Sequence, residues 1–237
     1  MDALVLCRRP LGCRYSLANT AVSQRPNLLA AEDFPAAPRQ KRSLEKRARL
    51  KAVGLLLFGE KGYEGTSVEE LSRRARIPVG TFYQHFRSKR QLLLALMAEL
   101  LEKLSELKLR PKAVPDVRAA LQEMLSRAFS ADLRYLGAYR AWQEALLSDP
   151  ELARKQNEIQ AWTTARVTTV FQLLQQLPHA RPGVDVPGLA RAMDSFFWSL
   201  LAKAVRMPRV ELDRWIDSAT HLIYHALFTD RTEKERT

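Results

Sequence analysis

Residues 74–89, RARIPVGTFYQHFRSK, concentrate hydrogen-bonding and cationic side chains in a short run. Thr81, Tyr83, Gln84 and His85 offer donors and acceptors, and Arg74, Arg76, Arg87 and Lys89 supply positive charge at both ends. Ile77, Phe82 and Phe86 fall on one face of a helix, so Val79, Gly80, Tyr83 and Gln84 point away from it. The chemistry on offer is recognition rather than catalysis. Gln84 can pair with N6 and N7 of an adenine, Val79 can touch a thymine methyl, and Gly80 lets a backbone approach a base edge. Phe82 and Phe86 read as core, not as base-stacking platforms.

These residues need a scaffold, and the flanking sequence supplies helices. Leu50, Val53, Gly54, Leu57 and Phe58 recur at helical spacing and predict a first helix from about Ser43, stopped by Gly62. Thr66 with Glu69 forms a capping-box pattern for a short second helix ending near Ala75. Pro78 suits the first position of a third helix, where its missing N–H costs nothing. Ser88 with Gln91 caps a long fourth helix, striped by Leu93, Leu96, Met97, Leu100, Leu104 and Leu107. Two short helices joined by a tight turn are the arrangement that lays its second helix in the major groove of DNA.

The run LKAVGLLLFGEKGYEGTSVEELSRRA, continued by GTFYQHFRSKRQLL, resembles the N-terminal domain of TetR-type (tetracycline-repressor-like) transcriptional regulators. The resemblance covers about Leu44 to Leu101. It implies phosphate contacts from Thr66, Tyr83, His85 and Lys89, and base-edge positions for Val79, Gly80, Thr81 and Gln84. Two departures stand out. Arg76 occupies a turn position that is usually small, often glycine, and Pro78 stands where serine is frequent. A non-glycine residue in a left-handed turn costs about 1 kcal/mol or somewhat more, while Arg76 can add a phosphate contact. Arg76 and Pro78 therefore join the expected DNA-binding set.

Charge supports a polyanion partner. Of the chain's net +12, residues 41–90 contribute +8, with 13 Lys and Arg against 5 Asp and Glu, whereas residues 91–237 are nearly neutral. Clustered cations suit phosphate neutralisation. Cys7 and Cys13 are the only cysteines, so no disulfide framework is implied. No apolar run reaches the roughly 20 residues of a membrane span; no membrane association is expected, and a cytoplasmic location is. Residues 1–40, with Pro10, Pro26, Pro35 and Pro38 and no sustained period, read as a flexible, disordered leader.

Beyond Pro111 and Pro115 the periodicity remains helical, near 116–130, 132–147, 150–177, 187–206 and 210–228, so the fold class is all-α. The expected organisation is a leader (1–40), a helix-turn-helix module (41–88), a helical effector-binding and dimerisation domain (89–230) and a polar tail (231–237). Aromatics crowd the C-terminal half, and Phe129, Tyr139, Trp142 and Trp162 are the expected lining of a pocket for a small, mainly apolar or aromatic effector. The last two helices are apolar over a wide arc, with Leu189, Met193, Phe196, Phe197, Leu200 and Ala204 extended sideways by Trp198, Leu201 and Val205. Such an arc suits both the chain's own body and a second copy, giving a four-helix homodimer interface.

His221 and His225 lie four residues apart, but nothing completes a metal site. No phosphate-cradling loop or nucleophile signature is present, so no catalytic residue and no cofactor are expected. The leading expectation is a ligand-responsive regulator, most plainly a repressor, acting on a pseudo-palindromic double-stranded DNA operator. The alternative is a helical ligand-binding protein or enzyme whose N-terminal module is only structural.

Overall fold

The computed structural model describes residues 24–36, 38–106, 116–204 and 207–229. Within them the fold is all-α. Helices α1 (Lys41–Lys61), α2 (Val68–Ala75) and α3 (Val79–Tyr83) form the N-terminal module, and α4 (Lys89–Glu106) leaves it. The body comprises α5 (Val117–Leu133), α6 (Leu136–Ala145), α7 (Pro150–Leu174), α8 (Val186–Ala204) and α9 (Arg209–Leu227). The expected polar tail and Leu107 lie outside the described residues.

Local signals set most helix ends. The α1 face of Leu50, Val53, Gly54, Leu57 and Phe58 is buried as its spacing predicts, and Gly62 stops the helix at φ 75°. The N-cap of α2 is Ser67, whose Oγ accepts from the Glu70 amide at 3.1 Å. The capping box expected at Thr66 and Glu69 is therefore shifted by one residue, because the Thr66 hydroxyl donates to the Gly62 carbonyl at 2.7 Å. Pro78 is the cap of α3 and not its first residue; its carbonyl accepts from the Thr81 amide at 2.9 Å. Ser88 caps α4, and Asp149 caps α7 by accepting from the amides of Glu151 and Leu152.

Helix α4 is buried almost all round along its first half, from Gln91 to Met97. It is the axis on which module and body meet. One apolar core contains Leu50, Phe58, Phe82 and Phe86 of the module together with Leu96, Leu100, Trp142, Ile159, Trp162 and Trp198. The expected boundary at residue 88 is thus crossed by continuous packing. Two further clusters occupy the body, one around Phe171, Val186 and Leu227, the other around Phe129, Leu200 and Ile216.

The leader expectation is corrected for its second half. Residues 24–36 lie on the body, with Leu28 only 1% exposed in the main core. Burial of that leucine and hydrogen bonds from α4 and α7 outweigh the entropy cost of ordering a segment with no helix or strand of its own. Residues 1–23 lie outside the described residues.

The wide apolar arc of α8 is also satisfied within the chain. Trp198 and Leu201 join the main core, while Leu200 and Ala204 join the cluster around Phe129. Val205 lies outside the described residues.

Module and body cross at a pair of glycines. A Cβ on Gly137 of α6 would stand 1.9 Å from the Leu55 carbonyl oxygen and 2.8 Å from the Gly59 nitrogen of α1. Backbone cannot retreat from such a contact as a side chain can. Gly137→Ala is therefore expected to destabilise the chain by about 3 kcal/mol, the upper end of ordinary overpacking, and to lower Tm by roughly 6–12 °C. Gly80→Ala, where a Cβ meets nothing within 4 Å, should leave Tm unchanged or slightly raised. Thermal denaturation of the two variants checks the pair.

Candidate nucleic-acid interface

Helix α3 has five residues and little stability of its own, so its placement depends on packing. Ile77, Phe82 and Phe86 are buried, and the two phenylalanine rings lie 6.0 Å apart. They pin the helix from beneath. Val79, Gly80, Tyr83 and Gln84 are exposed on the opposite side, Thr81 is half-buried, and the Tyr83 ring stands edge-on to Phe82 at 5.6 Å. The result is an outward surface of one small aliphatic side chain, one bare backbone, one phenol and one carboxamide.

The turn before α3 is built around Arg76, which caps α2 in the left-handed conformation at φ 54°. Its amide donates to the Arg73 carbonyl at 3.1 Å, and the next amide, Ile77, donates to Ser72 at 2.9 Å. These bonds close the end of α2 and hold Arg76 in place despite its Cβ. Its side chain is exposed beside Pro78, at the entrance to α3.

Three expected phosphate contacts are placed otherwise. Thr66 is 1% exposed, with its hydroxyl committed to Gly62. His85 is 2% exposed, and its Nδ1 has no hydrogen-bond partner among the described residues. Burial, then the charges of Arg47 and Lys46, hold its pKa below the ordinary value, so the imidazole is neutral near pH 7. Lys89 turns inward: its ammonium donates to the Tyr63 carbonyl at 2.8 Å, lies 4.3 Å from the Tyr63 ring centre and is 3.6 Å from Glu64. All three brace the module from within. Helical periodicity could not reveal this, because His85 and Lys89 follow the end of α3 and no longer obey its period.

Cations around the outward face differ in availability. Arg74 is paired with Glu60 through two hydrogen bonds of 3.1 and 3.2 Å, and Arg87 with Asp33 at 3.0 Å. These pairs are exposed, and such pairs contribute little, so a phosphate can replace the carboxylate at small cost. Arg42 and Lys46 of α1 are exposed as well.

The body contains a cleft of about 440 Å³ lined by α6 (Tyr139, Gln143, Leu146), α7 (Ala153, Gln156, Asn157, Gln160) and α8 (Trp198, Ser199, Ala202). Of the four expected pocket residues, only Tyr139 lines it. Trp142 stands behind the wall, donating from Nε1 to Gln156 Oε1 at 2.7 Å. Trp162 is core beneath the Arg166 guanidinium, and Phe129 packs on Phe197 in another cluster, with ring centres 4.8 Å apart. Five carboxamide and hydroxyl positions, Gln143, Gln156, Asn157, Gln160 and Ser199, stand with Tyr139 and Trp198 in place of the expected all-aromatic lining. Aromatic crowding marked the core, whereas the cleft is marked by glutamines recurring along one face of α7, a pattern indistinguishable from a solvated surface. Burial, and then Asp194, push the Tyr139 phenol well above its ordinary pKa, so this cleft carries no charge at neutral pH.

Residues 52–96 match the family of bacterial regulatory proteins described as the tetR family. Among curated proteins, the chain is 36% identical over 76 residues to the HTH-type transcriptional repressor DhaR of Mycobacterium sp. (strain GP1), covering 30% of this chain and 38% of that protein. It is 26% identical over 203 residues to the HTH-type transcriptional regulator EthR of Mycolicibacterium smegmatis, covering 81% and 92%. Several other curated relatives are matched over only 18–25% of their own length. Among solved structures, the SmeT–triclosan complex aligns with a TM-score of 0.62 at 23% identity, covering 79% of this chain and 93% of that one, a likeness of fold.

The neutral buried imidazole makes stability pH-dependent. The folded pKa of His85 lies below 6.5, so as pH falls the unfolded chain binds the proton first. Stability contributed by this site is complete above about pH 6.5 and is lost progressively as pH falls from there towards the folded value. His85→Gln should flatten that part of the curve of unfolding free energy against pH, measured by urea denaturation, while the slope below pH 4 persists.

Proposed function

We propose that the chain is a transcriptional regulator of the tetR type and not an enzyme, a ligand-responsive repressor that binds a pseudo-palindromic operator as a homodimer; the match of residues 52–96 to the tetR family and the likeness to curated transcriptional regulators support this. This sets aside a merely structural N-terminal module. The observation that carries the reading is the outward face of α3: Val79, Gly80, Tyr83 and Gln84 exposed together on the one strongly basic part of the chain. Gln84 reads a base edge, Val79 and Gly80 allow close approach, and Thr81 lies at the margin of the contact. Tyr83 and Arg76 meet phosphates, with Arg42, Lys46, Arg74 and Arg87 supplying the remaining charge.

Dimerisation is proposed through α8 and α9. Trp215 and Leu222 are exposed seven residues apart on α9, and the Trp215 ring lies 5.8 Å from that of Phe196 on α8. Ala192 and Ser195 are exposed along α8, and small side chains permit close helix approach. A two-fold pair would present two equivalent α3 helices to two half-sites.

The cleft between α6, α7 and α8 is the proposed effector site. Its lining changes the expected effector from a mainly apolar compound to an uncharged one with an aromatic or aliphatic body and several hydrogen-bonding groups. The carboxamides would bind such groups, and an ionic group would find no counter-charge. Repression is the sense carried by the name of the relative DhaR. Release follows if effector and operator favour different arrangements of the chain, since each can shift the equilibrium only by its differential affinity.

Footprinting on DNA flanking the coding sequence tests the reading. Protection should appear as two symmetric half-sites, and affinity should fall by roughly 10³–10⁵ between 50 and 200 mM salt if six to ten phosphates are met. Gln84→Ala should cost about 1–3 kcal/mol on the preferred site and relax one base position per half-site. Arg76→Ala should weaken all sequences alike. Equal, sequence-independent losses in both variants would remove Gln84 from base readout.

A further inference from the structure

Residues 24–36 are held from two sides. From α4 and the residue before its cap, Gln91 Nε2 donates to the Asp33 carbonyl at 2.9 Å, Arg87 pairs with the Asp33 carboxylate at 3.0 Å, and Arg90 pairs with Glu32. From α7, the Lys155 ammonium donates to the Leu28 carbonyl at 3.1 Å. Arg90 joins the two sides directly as well, donating to Asp149 at 2.6 Å and to Glu151 at 3.1 Å. The Lys155 side chain is only 7% exposed, and among the described residues its other acceptor in reach is Glu151 at 3.6 Å. A buried ammonium needs that carbonyl, so the segment is bound by more than contact area.

What the two sides lead to gives the arrangement its meaning. Arg87, Arg90 and Gln91 directly follow the exposed face of α3, while Lys155 lies among Ala153, Gln156 and Asn157 of the cleft wall. We propose that residues 24–36 form a strap that fixes the first turn of α7 against the first turn of α4, and thereby passes the state of the cleft to the DNA-reading helix. Its regulatory consequence rests on the function proposed above; its mechanical role does not. Because the strap is held by side-chain bonds and one buried leucine, it can open at a lower cost than the helices it joins. Pro26 and Pro35 restrict the free segment and lower the entropy lost when it docks.

Hydrogen–deuterium exchange on the full chain tests this without DNA. In Leu28→Ser, amides 87–92 and 151–155 are expected to exchange at least about tenfold faster, with amides of α5 and α9 at wild-type rates. Glu32→Gln keeps side-chain size and removes one ion of the strap; it should show the same pattern more weakly, and it decides the matter if Leu28→Ser speeds exchange throughout the chain. The strap is overturned if chymotrypsin cuts after Leu29 faster in the variants while amides 87–92 and 151–155 keep their wild-type rates. In the DNA arm, a released strap should weaken specific binding about tenfold, and unchanged affinity would remove its regulatory part. If the wild-type chain binds no duplex specifically, the operator reading falls, and the exchange arm still decides the strap.

Discussion

Beside the core shared along α4, what sets the N-terminal module against the body is the close approach of two helix backbones, α1 and α6, at Gly59 and Gly137. With no side chain at either position, the helices meet at backbone distance, and groups beside the crossing make direct bonds. Arg140 donates to the Gly59 carbonyl at 2.6 Å, and the Glu144 carboxylate accepts from the amides of Tyr63 and Glu64 at 2.7 and 3.0 Å. Those amides belong to the link that carries α1 into α2. One face of α6 therefore grips the module while its other face, through Tyr139 and Gln143, borders the cleft. A ligand that shifts α6 cannot leave α1 where it was, because a close-packed interior does not absorb displacement smoothly.

The module is arranged so that rigidity and recognition use different atoms. Phe82 and Phe86 hold α3 from beneath, the Arg47 guanidinium lies 4.8 Å from the Phe86 ring centre, and Lys89 caps the Tyr63 ring. Burial, and then Glu64, push the Tyr63 phenol up to about 12, which keeps it neutral beside these cations. His85 serves the same internal purpose at a cost, since its unpartnered Nδ1 is tolerated only in the uncharged ring. The outward side chains are left without structural duties and can be exchanged for other specificities without unfolding the helix. Arg76 is the exception. Its backbone holds a strained turn while its side chain faces outward, so a change of side chain for the proposed phosphate contact also acts on the fold.

Arg90 is the electrostatic counterpart of the glycine crossing. Its burial disfavours the charge, but the carboxylates of Asp149 and Glu32 outweigh that and hold its pKa above the ordinary range. Asp149 answers in kind: its burial is outweighed by Arg90 and by the amides of Leu152 and Glu151, and its pKa falls. Asp149 thus caps α7 and pairs with Arg90 of α4, and Arg90 in turn anchors the segment before α1 through Glu32. The network is half-buried and multidentate, the setting in which ion pairs specify geometry more than they add stability.

The sequence alone determined what depends on neighbours within a turn or two. Helical periods, the caps at Ser88 and Asp149, the glycine stop at Gly62 and the strained Arg76 turn are all local, because a helix closes its bonds over four residues. The inward and outward faces of α3 were legible for the same reason. Tertiary structure decided the rest. Leu28 is buried in the main core and its carbonyl is held by Lys155, 127 positions away, and no pattern in a proline-bearing, aperiodic segment announces such a partner. Thr66, His85 and Lys89 have the types of phosphate ligands, yet the fold gives their polar atoms to Gly62, to an enclosed site and to Tyr63. In the body, aromatic content told where apolar mass lies but not where it is missing, since a cleft is set by how α6, α7 and α8 diverge. Only their crossing shows that the space between them is lined by carboxamides, with Trp198 at its wall and Trp142 and Trp162 in the core.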